Sequence, residues 1–287
     1  MPVASELLTV SLNELPSWSV WPARILGIEP WPVPRRNLEK IKTEYNDDKY
    51  RKLLDWVETQ GEIRFADAER ALIEMVKLSS DQQVCISERE QLFRITVREG
   101  YEKQWEALRA HLDGRIDGCR SLIELGCGAG FNLWYLKDVF GDLELGGGDY
   151  SANAVAIARR LGQNVTEFNF YDPNTYKFLE QFPQPIAILT SHALEQLPSA
   201  APFVKNLTQF RDRIKTVIQL EPVSELHSKK LLGMLRSRYA EINDYNRDLL
   251  SVLKSSPVEI DRTEYDVIGF NPLNPTSVLQ WHFSRDS

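Results

Sequence analysis

Between Ile123 and Leu133 the chain reads Ile-Glu-Leu-Gly-Cys-Gly-Ala-Gly-Phe-Asn-Leu. An apolar run stops at Leu125, glycine stands at 126, 128 and 130, and a helix-forming stretch opens near Phe131. Glycine lacks a Cβ and accepts positive φ, so this backbone can turn sharply and pass close to a ligand. The helix behind it offers free N–H groups and the positive end of its dipole. A dinucleotide fingerprint would require its third glycine at position 131, which is Phe131. The acid directly before the turn, Glu124, suits a ligand carrying a cationic amine better than a pyrophosphate.

A strand, a tight turn and a helix in that order restrict what surrounds them. After Gly118, short apolar runs at 121–125, 143–148, 164–169, 185–190 and 214–221 alternate with helical stretches at 131–140, 151–161, 173–182 and 200–212. That alternation predicts a doubly wound, mostly parallel α/β sheet with helices on both faces. Residues 226–253 predict one long helix or a helix pair. Two further β-like runs, 264–270 and 277–283, flank the turn Asn271-Pro-Leu-Asn-Pro275 and predict an antiparallel hairpin at the sheet edge.

Upstream, the periodicity is helical from Asn37 to about Leu112. Leu38, Ile41 and Tyr45 form one stripe; Tyr50, Leu53, Leu54 and Val57 form a second; Asn46-Asp47-Asp48 breaks the phase between them as a turn or cap would. Phe65, Ala68, Leu72, Met75 and Val76 make another face, and Tyr101, Trp105, Leu108 and Leu112 a last one. Three to five helices are expected. Before them, residues 1–36 form a proline- and tryptophan-rich strap with Trp18, Trp21, Trp31, Pro32 and Pro34. Prolines at this density break helices and deny strand donors, and the rings gain only when buried. The strap either packs on the body or, with Tyr45 and Tyr50, closes over the sheet's active edge.

Two acids follow the glycine turn at informative distances. Asp149, in Gly148-Asp-Tyr-Ser151, stands nineteen residues past Gly130 at a strand end, where an acid can accept both ribose hydroxyls. Asp172, in Phe168-Asn-Phe-Tyr-Asp172, follows aromatic rings able to sandwich an adenine, although an acid before Pro173 can equally cap a helix.

The pattern Glu124-Leu-Gly126-Cys-Gly128-Ala-Gly130, then Gly-Asp149-Tyr-Ser, then Tyr171-Asp172, resembles the class I S-adenosylmethionine-dependent methyltransferases over residues 118–287. The segments 190–198 and 271–281 are more loosely similar to bacterial sugar O-methyltransferases. The resemblance implies a seven-stranded sheet, S-adenosyl-L-methionine as cofactor, and cofactor contacts from Glu124, Gly126, Cys127, Gly128, Gly130, Asn132, Asp149, Tyr150, Tyr171, Asp172 and Ser191. It implies methyl transfer to an O or N nucleophile of a small molecule, a sugar or a natural-product intermediate. The alternatives are N-methylation of a peptide side chain and, on the same sheet topology, nicotinamide-dependent oxidation. Displacement at a sulfonium carbon needs alignment of the nucleophile and exclusion of water, and a base helps an acceptor that has a proton to lose. His192, Glu195 and Glu221, at the ends of the fourth and fifth strands, are the catalytic candidates, with His227 behind them.

Charge and cysteine content narrow the partners. Lys and Arg number 34 against 41 Asp and Glu, a net charge of −7, opposite in sign to what a nucleic-acid-binding chain carries. Small-molecule or peptide substrates are expected, with no nucleic acid or membrane partner and with a homodimer possible. Three cysteines with no metal-site spacing, no signal-like N-terminus and no long apolar run predict a cytoplasmic chain with no metal centre. Residues 1–117 are expected to form a strap and helical substrate or lid domain, and residues 118–287 the cofactor-binding domain.

Overall fold

The computed structural model describes residues 8–32, 36–75 and 77–284; Pro34, Val76 and the first seven residues lie outside them. The chain opens with a short strand β1 (Leu8–Val10), a 3₁₀ turn and α1 (Trp21–Ile25). Next come α2 (Leu38–Ile41), a π-helical stretch over Lys42–Tyr50, α3 (Arg51–Thr59) and α4 (Phe65–Met75). The expected break at Asn46-Asp47-Asp48 does not occur. Instead the helix runs through these residues with i→i+5 bonding, a geometry that is rare and concentrated at functional sites. Leu53, Leu54 and Val57 bury one face of α3 against Ile157 and Phe131, each gaining roughly 1.5–3 kcal/mol.

Residues 83–96 were expected to be helical and are not. They form a hairpin, β2 (Gln83–Glu88) and β3 (Gln91–Thr96), with β1 added to β3 in a three-stranded sheet. The two-residue connection Arg89-Glu90 has positive φ at both positions, 51° and 63°, the pattern of a type I′ turn that asparagine and glycine normally supply. Tertiary contacts hold it: Glu90 N–H donates to Asp266 Oδ2 at 2.6 Å and Arg89 N–H to the Asp266 carbonyl at 2.7 Å. Then Thr96 and Glu99 form a capping box at the start of α5 (Val97–Leu112).

The second sheet follows the expected alternation. Its elements are β4 (Ser121–Leu125), α6 (Phe131–Val139), β5 (Glu144–Asp149), α7 (Ala152–Arg160), β6 (Val165–Glu167), β7 (Ile186–Ser191), α8 (Ala201–Leu207), β8 (Ile214–Glu221), α9 (Leu231–Ile242), α10 (Leu249–Lys254), β9 (Val258–Ile268) and β10 (Thr276–Phe283). The connection at 173–182 is 3₁₀ rather than α-helical, and the third strand is three residues long. Seven strands lie in the order β6-β5-β4-β7-β8-β10-β9, with β10 antiparallel to both neighbours and the β4–β8 pairings parallel. Chain order reverses between β4 and β7, so a crevice opens outside their carboxyl ends, where such sheets take ligands. Every residue of β4 is buried, and Phe168, Tyr176, Phe203 and Trp281 fill the largest core cluster.

The described residues of the proline- and tryptophan-rich strap pack on α9 and on the β2–β3 hairpin. Trp21 meets Trp31 and Tyr239 of α9 edge-on, with centroids 4.7 and 4.6 Å apart. The expectation of a cover over the crevice therefore falls on Leu38–Thr59 and not on the tryptophans of the strap. Among the described residues no helix is long and apolar enough to cross a membrane.

Candidate active site

The turn after β4 is tied down before any ligand is considered. Gly126 and Cys127 N–H groups donate to the Gly148 carbonyl at 2.8 and 3.2 Å. Gly126 and Gly128 have φ of 78° and 53°, strained for any side chain. A Cβ on Gly126 would overlap Ala193, and one on Gly128 would run into the Tyr50 hydroxyl. Gly130 caps α6 and faces Ala158 and Gln163 of the α7 side. Asp149 holds the turn from the end of the neighbouring strand β5: Oδ2 accepts Gly128 N–H at 2.7 Å and Oδ1 accepts Ser151 N–H at 2.8 Å. Burial raises its carboxyl above the ordinary range, and these two bonds oppose the rise.

Glu124 is 1% exposed. Its Oε1 accepts from Asn132 Nδ2 at 2.6 Å, while Oε2 is buried with no partner. Burial pushes this acid up to about 8, with the Asn132 bond pulling down and the Asp149 charge adding to the rise. A buried carboxylate oxygen without a donor costs stability, which makes it a place for a cationic donor from outside the chain.

Across the switch point, His192 follows β7 with φ of 51°, a left-handed conformation that costs a non-glycine residue energy and is held here by the surrounding contacts. Its Nε2 lies 2.7 Å from Thr276 Oγ1 and its Nδ1 3.6 Å from Glu195 Oε2. Glu195 also accepts from Asn274 Nδ2 at 2.7 Å and Gln196 Nε2 at 2.9 Å. Burial alone would depress the imidazole, but the Glu195 carboxylate raises it on balance; burial would raise Glu195, and His192 with the amide donors brings it down. Glu221 has a different position from the one expected of a catalytic acid. Its carboxylate accepts the N–H groups of Ala193 and Leu194 at 3.1 Å and of Glu195 at 3.4 Å, so it shapes the turn that carries His192 and lines neither cavity. Burial lifts it to about 7.

Two cavities flank the glycine turn. One, with about 690 Å³ of free space, is lined by Tyr45, Tyr50, Gly126, Asp149, Tyr150, Asn169, Phe170, His192 and Gln196 among others. The other, with about 910 Å³, is lined by Tyr50, Trp105, Cys127, Phe131, Asn132, Ser191, His192 and Thr276 among others. Tyr50 and His192 belong to both walls.

Five of the expected cofactor contacts, Glu124, Gly128, Gly130, Tyr171 and Asp172, line neither cavity. Asp172 accepts Asn174 N–H at 2.9 Å and caps the 3₁₀ segment after it. Proline after Asp172 sets up the cap, so the acid turns to the backbone. Asn169 and Phe170 occupy the wall instead. His227 pairs with Ser237 outside both cavities. Sequence reasoning did not single out Thr276, Asn274 or Gln196, because nothing local marks them: long-range pairing of β10 beside β8 brings Thr276 to His192 and Asn274 to Glu195.

No family model matches the chain, and no curated protein matches it. Among solved structures it is similar to the plantazolicin methyltransferase BpumL in complex with a pentazolic desmethylPZN analog and SAH, at 13% identity over 64% of this chain and 86% of that one, TM-score 0.43. It is similar to the pyocyanin biosynthetic protein PhzM at 14% identity over 64% and 55%, TM-score 0.47. An O-methyltransferase from neocarzinostatin biosynthesis, NcsB1, is 16% identical over 65% and 58%, with TM-score 0.40. At these identities and scores no activity of this chain follows from the likeness.

Proposed function

We propose that this protein is an S-adenosylmethionine-dependent methyltransferase acting on an O or N nucleophile of a small molecule. The observation that carries the reading is the buried, unpartnered Oε2 of Glu124 beside a glycine turn so closely approached by Ala193 and Tyr50 that it admits no side chain at 126 or 128. The residues present fit the cofactor. Glu124 would take its ammonium group and Asp149 its ribose hydroxyls, with Tyr150, Asn169 and Phe170 against the base. Bound there, S-adenosylmethionine supplies an electrophilic methyl group on a sulfonium.

The chain's own residues would do the rest. His192, with Glu195 behind Nδ1, can hold the proton lost by the acceptor at Nε2, the nitrogen that faces the Thr276 hydroxyl. Glu195 stabilises the imidazolium, a role its buried amide donors tune. Apolar walls from Leu72, Trp105, Leu108 and Phe131 exclude water and favour a natural-product intermediate with an apolar body over a bare sugar. Residues 1–117 contribute the cover and part of that wall, and residues 118–287 the cofactor groups, in keeping with a substrate and lid region beside a cofactor domain.

Calorimetry tests the reading directly. S-adenosylmethionine and S-adenosylhomocysteine should bind with micromolar affinity, about 8 kcal/mol, and NADH should give no heat. Glu124→Gln should weaken S-adenosylmethionine by roughly 10- to 100-fold through loss of a charged hydrogen bond. Absence of heat with either sulfur nucleoside would overturn the assignment.

A further inference from the structure

The two cavities adjoin at Tyr50 and His192, which stand in both walls. Tyr50 lines both, and its hydroxyl stands where a Gly128 side chain would begin. The phenol makes no hydrogen bond with the described residues, and burial, with the Asp149 and Glu124 carboxyls nearby, raises it well above its ordinary value. Tyr50 is half-buried, and no hydrogen bond of its own to the described residues holds the ring over Gly128.

What keeps it there lies one turn back. Asn46 Oδ1 accepts from Ser151 Oγ at 2.9 Å and from Asn153 N–H at 3.0 Å, and its carbonyl accepts from Asn153 Nδ2 at 2.8 Å. Ser151 is the N-cap of α7 and sits two residues past Asp149. Asn46 and Tyr50 are both carried by the nine-residue π-helical stretch, which is long for a form normally confined to single turns. Returning it to α-helical bonding would rewind the residues after it and draw Tyr50 off Gly128.

We propose that Lys42–Tyr50 is a gate. Asn46 latches it to the first turn of α7, and Tyr50 closes the gap over Gly128. A ligand long enough to span both cavities enters only when the latch releases and the segment rewinds. The identity of that ligand rests on the methyltransferase reading; the latch and the plug do not.

The full-length protein with Asn46→Ala and with Tyr50→Ala provides the test. Stopped-flow tryptophan fluorescence with S-adenosylhomocysteine as the probe should show association about tenfold faster in both variants: in Asn46→Ala on the scale of one or two lost net hydrogen bonds, and in Tyr50→Ala because the ring that closes the gap is gone. Association within twofold of the parent in both would overturn the gate, and acceleration in Tyr50→Ala alone would overturn the latch. If the parent and both variants fail to bind the probe, the methyltransferase reading fails and hydrogen exchange decides the gate. In the ligand-free protein, Asn46→Ala should then raise exchange of the 42–50 amides about tenfold. Unchanged exchange there would refute the gate whatever the ligand.

Discussion

Arg236 and Asp266 are fully buried and joined at 2.9 Å, and they fasten the N-terminal hairpin to the large sheet. Arg236 also donates to the Pro272 carbonyl and the Tyr265 hydroxyl. Asp266 accepts from Ser87 Oγ at 2.8 Å and from Glu90 N–H, across the junction. Breaking such a pair from one side leaves an uncompensated buried charge, which costs about 3–5 kcal/mol. Asp266→Ala should lose stability of that order in urea unfolding, and replacing both residues with apolar side chains should lose less than the single change. Equal stability of Asp266→Ala and the parent would show that the pair does not hold the junction.

Glu124 binds its proton up to about pH 8 in the free protein. An ammonium partner requires the carboxylate, so binding S-adenosylmethionine at pH 7 should release close to one proton. Affinity should therefore rise between pH 6 and pH 8. Calorimetry in two buffers of different ionisation enthalpy measures the released proton, and identical heats in both would contradict the role given to Glu124.

His192 and Glu195 shift in opposite directions from their ordinary values of 6.5 and 4.5. The raised imidazole contributes stability that is fully present below about pH 6.5 and lost as pH rises through its folded value. The lowered carboxyl contributes stability that is present above about pH 4.5 and lost as pH falls. The pair should therefore stabilise the fold most between those limits. In Glu195→Gln the His192 ring, followed by NMR, should titrate lower than in the parent. An unmoved titration would separate the two residues.

Asp149 has a double task. The Gly128 and Ser151 N–H groups both use its carboxylate, so Asp149→Ala should cost about 1–3 kcal/mol of stability as well as 10- to 100-fold in S-adenosylhomocysteine affinity. Thermal unfolding and calorimetry on the same variant measure the two losses. Weakened binding with unchanged stability would show that the carboxylate serves the ligand alone.

Local chemistry alone made much of this molecule readable. Glycine at 126, 128 and 130 between an apolar strand and a helix can make only a tight turn at a sheet head, and the β/α alternation after Gly118 can bury its faces only as a doubly wound sheet. Asp149 and His192 were legible for the same reason: each ends a strand whose register follows from its own apolar run. The rest depended on contacts distant in sequence. Arg89-Glu90 forms a hairpin turn because Asp266 accepts its backbone, and Asn46, which reads locally as a helix break, is instead held in a π-helix by α7. Glu221 and Asp172 carry the residue type expected of a functional acid, but nearby N–H groups claim them. Thr276 reaches His192, and Asn274 reaches Glu195, only through the antiparallel pairing of β10 with β8. Periodicity and turn chemistry are local properties, so the sequence alone determined the elements of the sheet and the glycine turn. Which polar group finds a buried partner depends on where distant segments meet, and only the tertiary structure decided that.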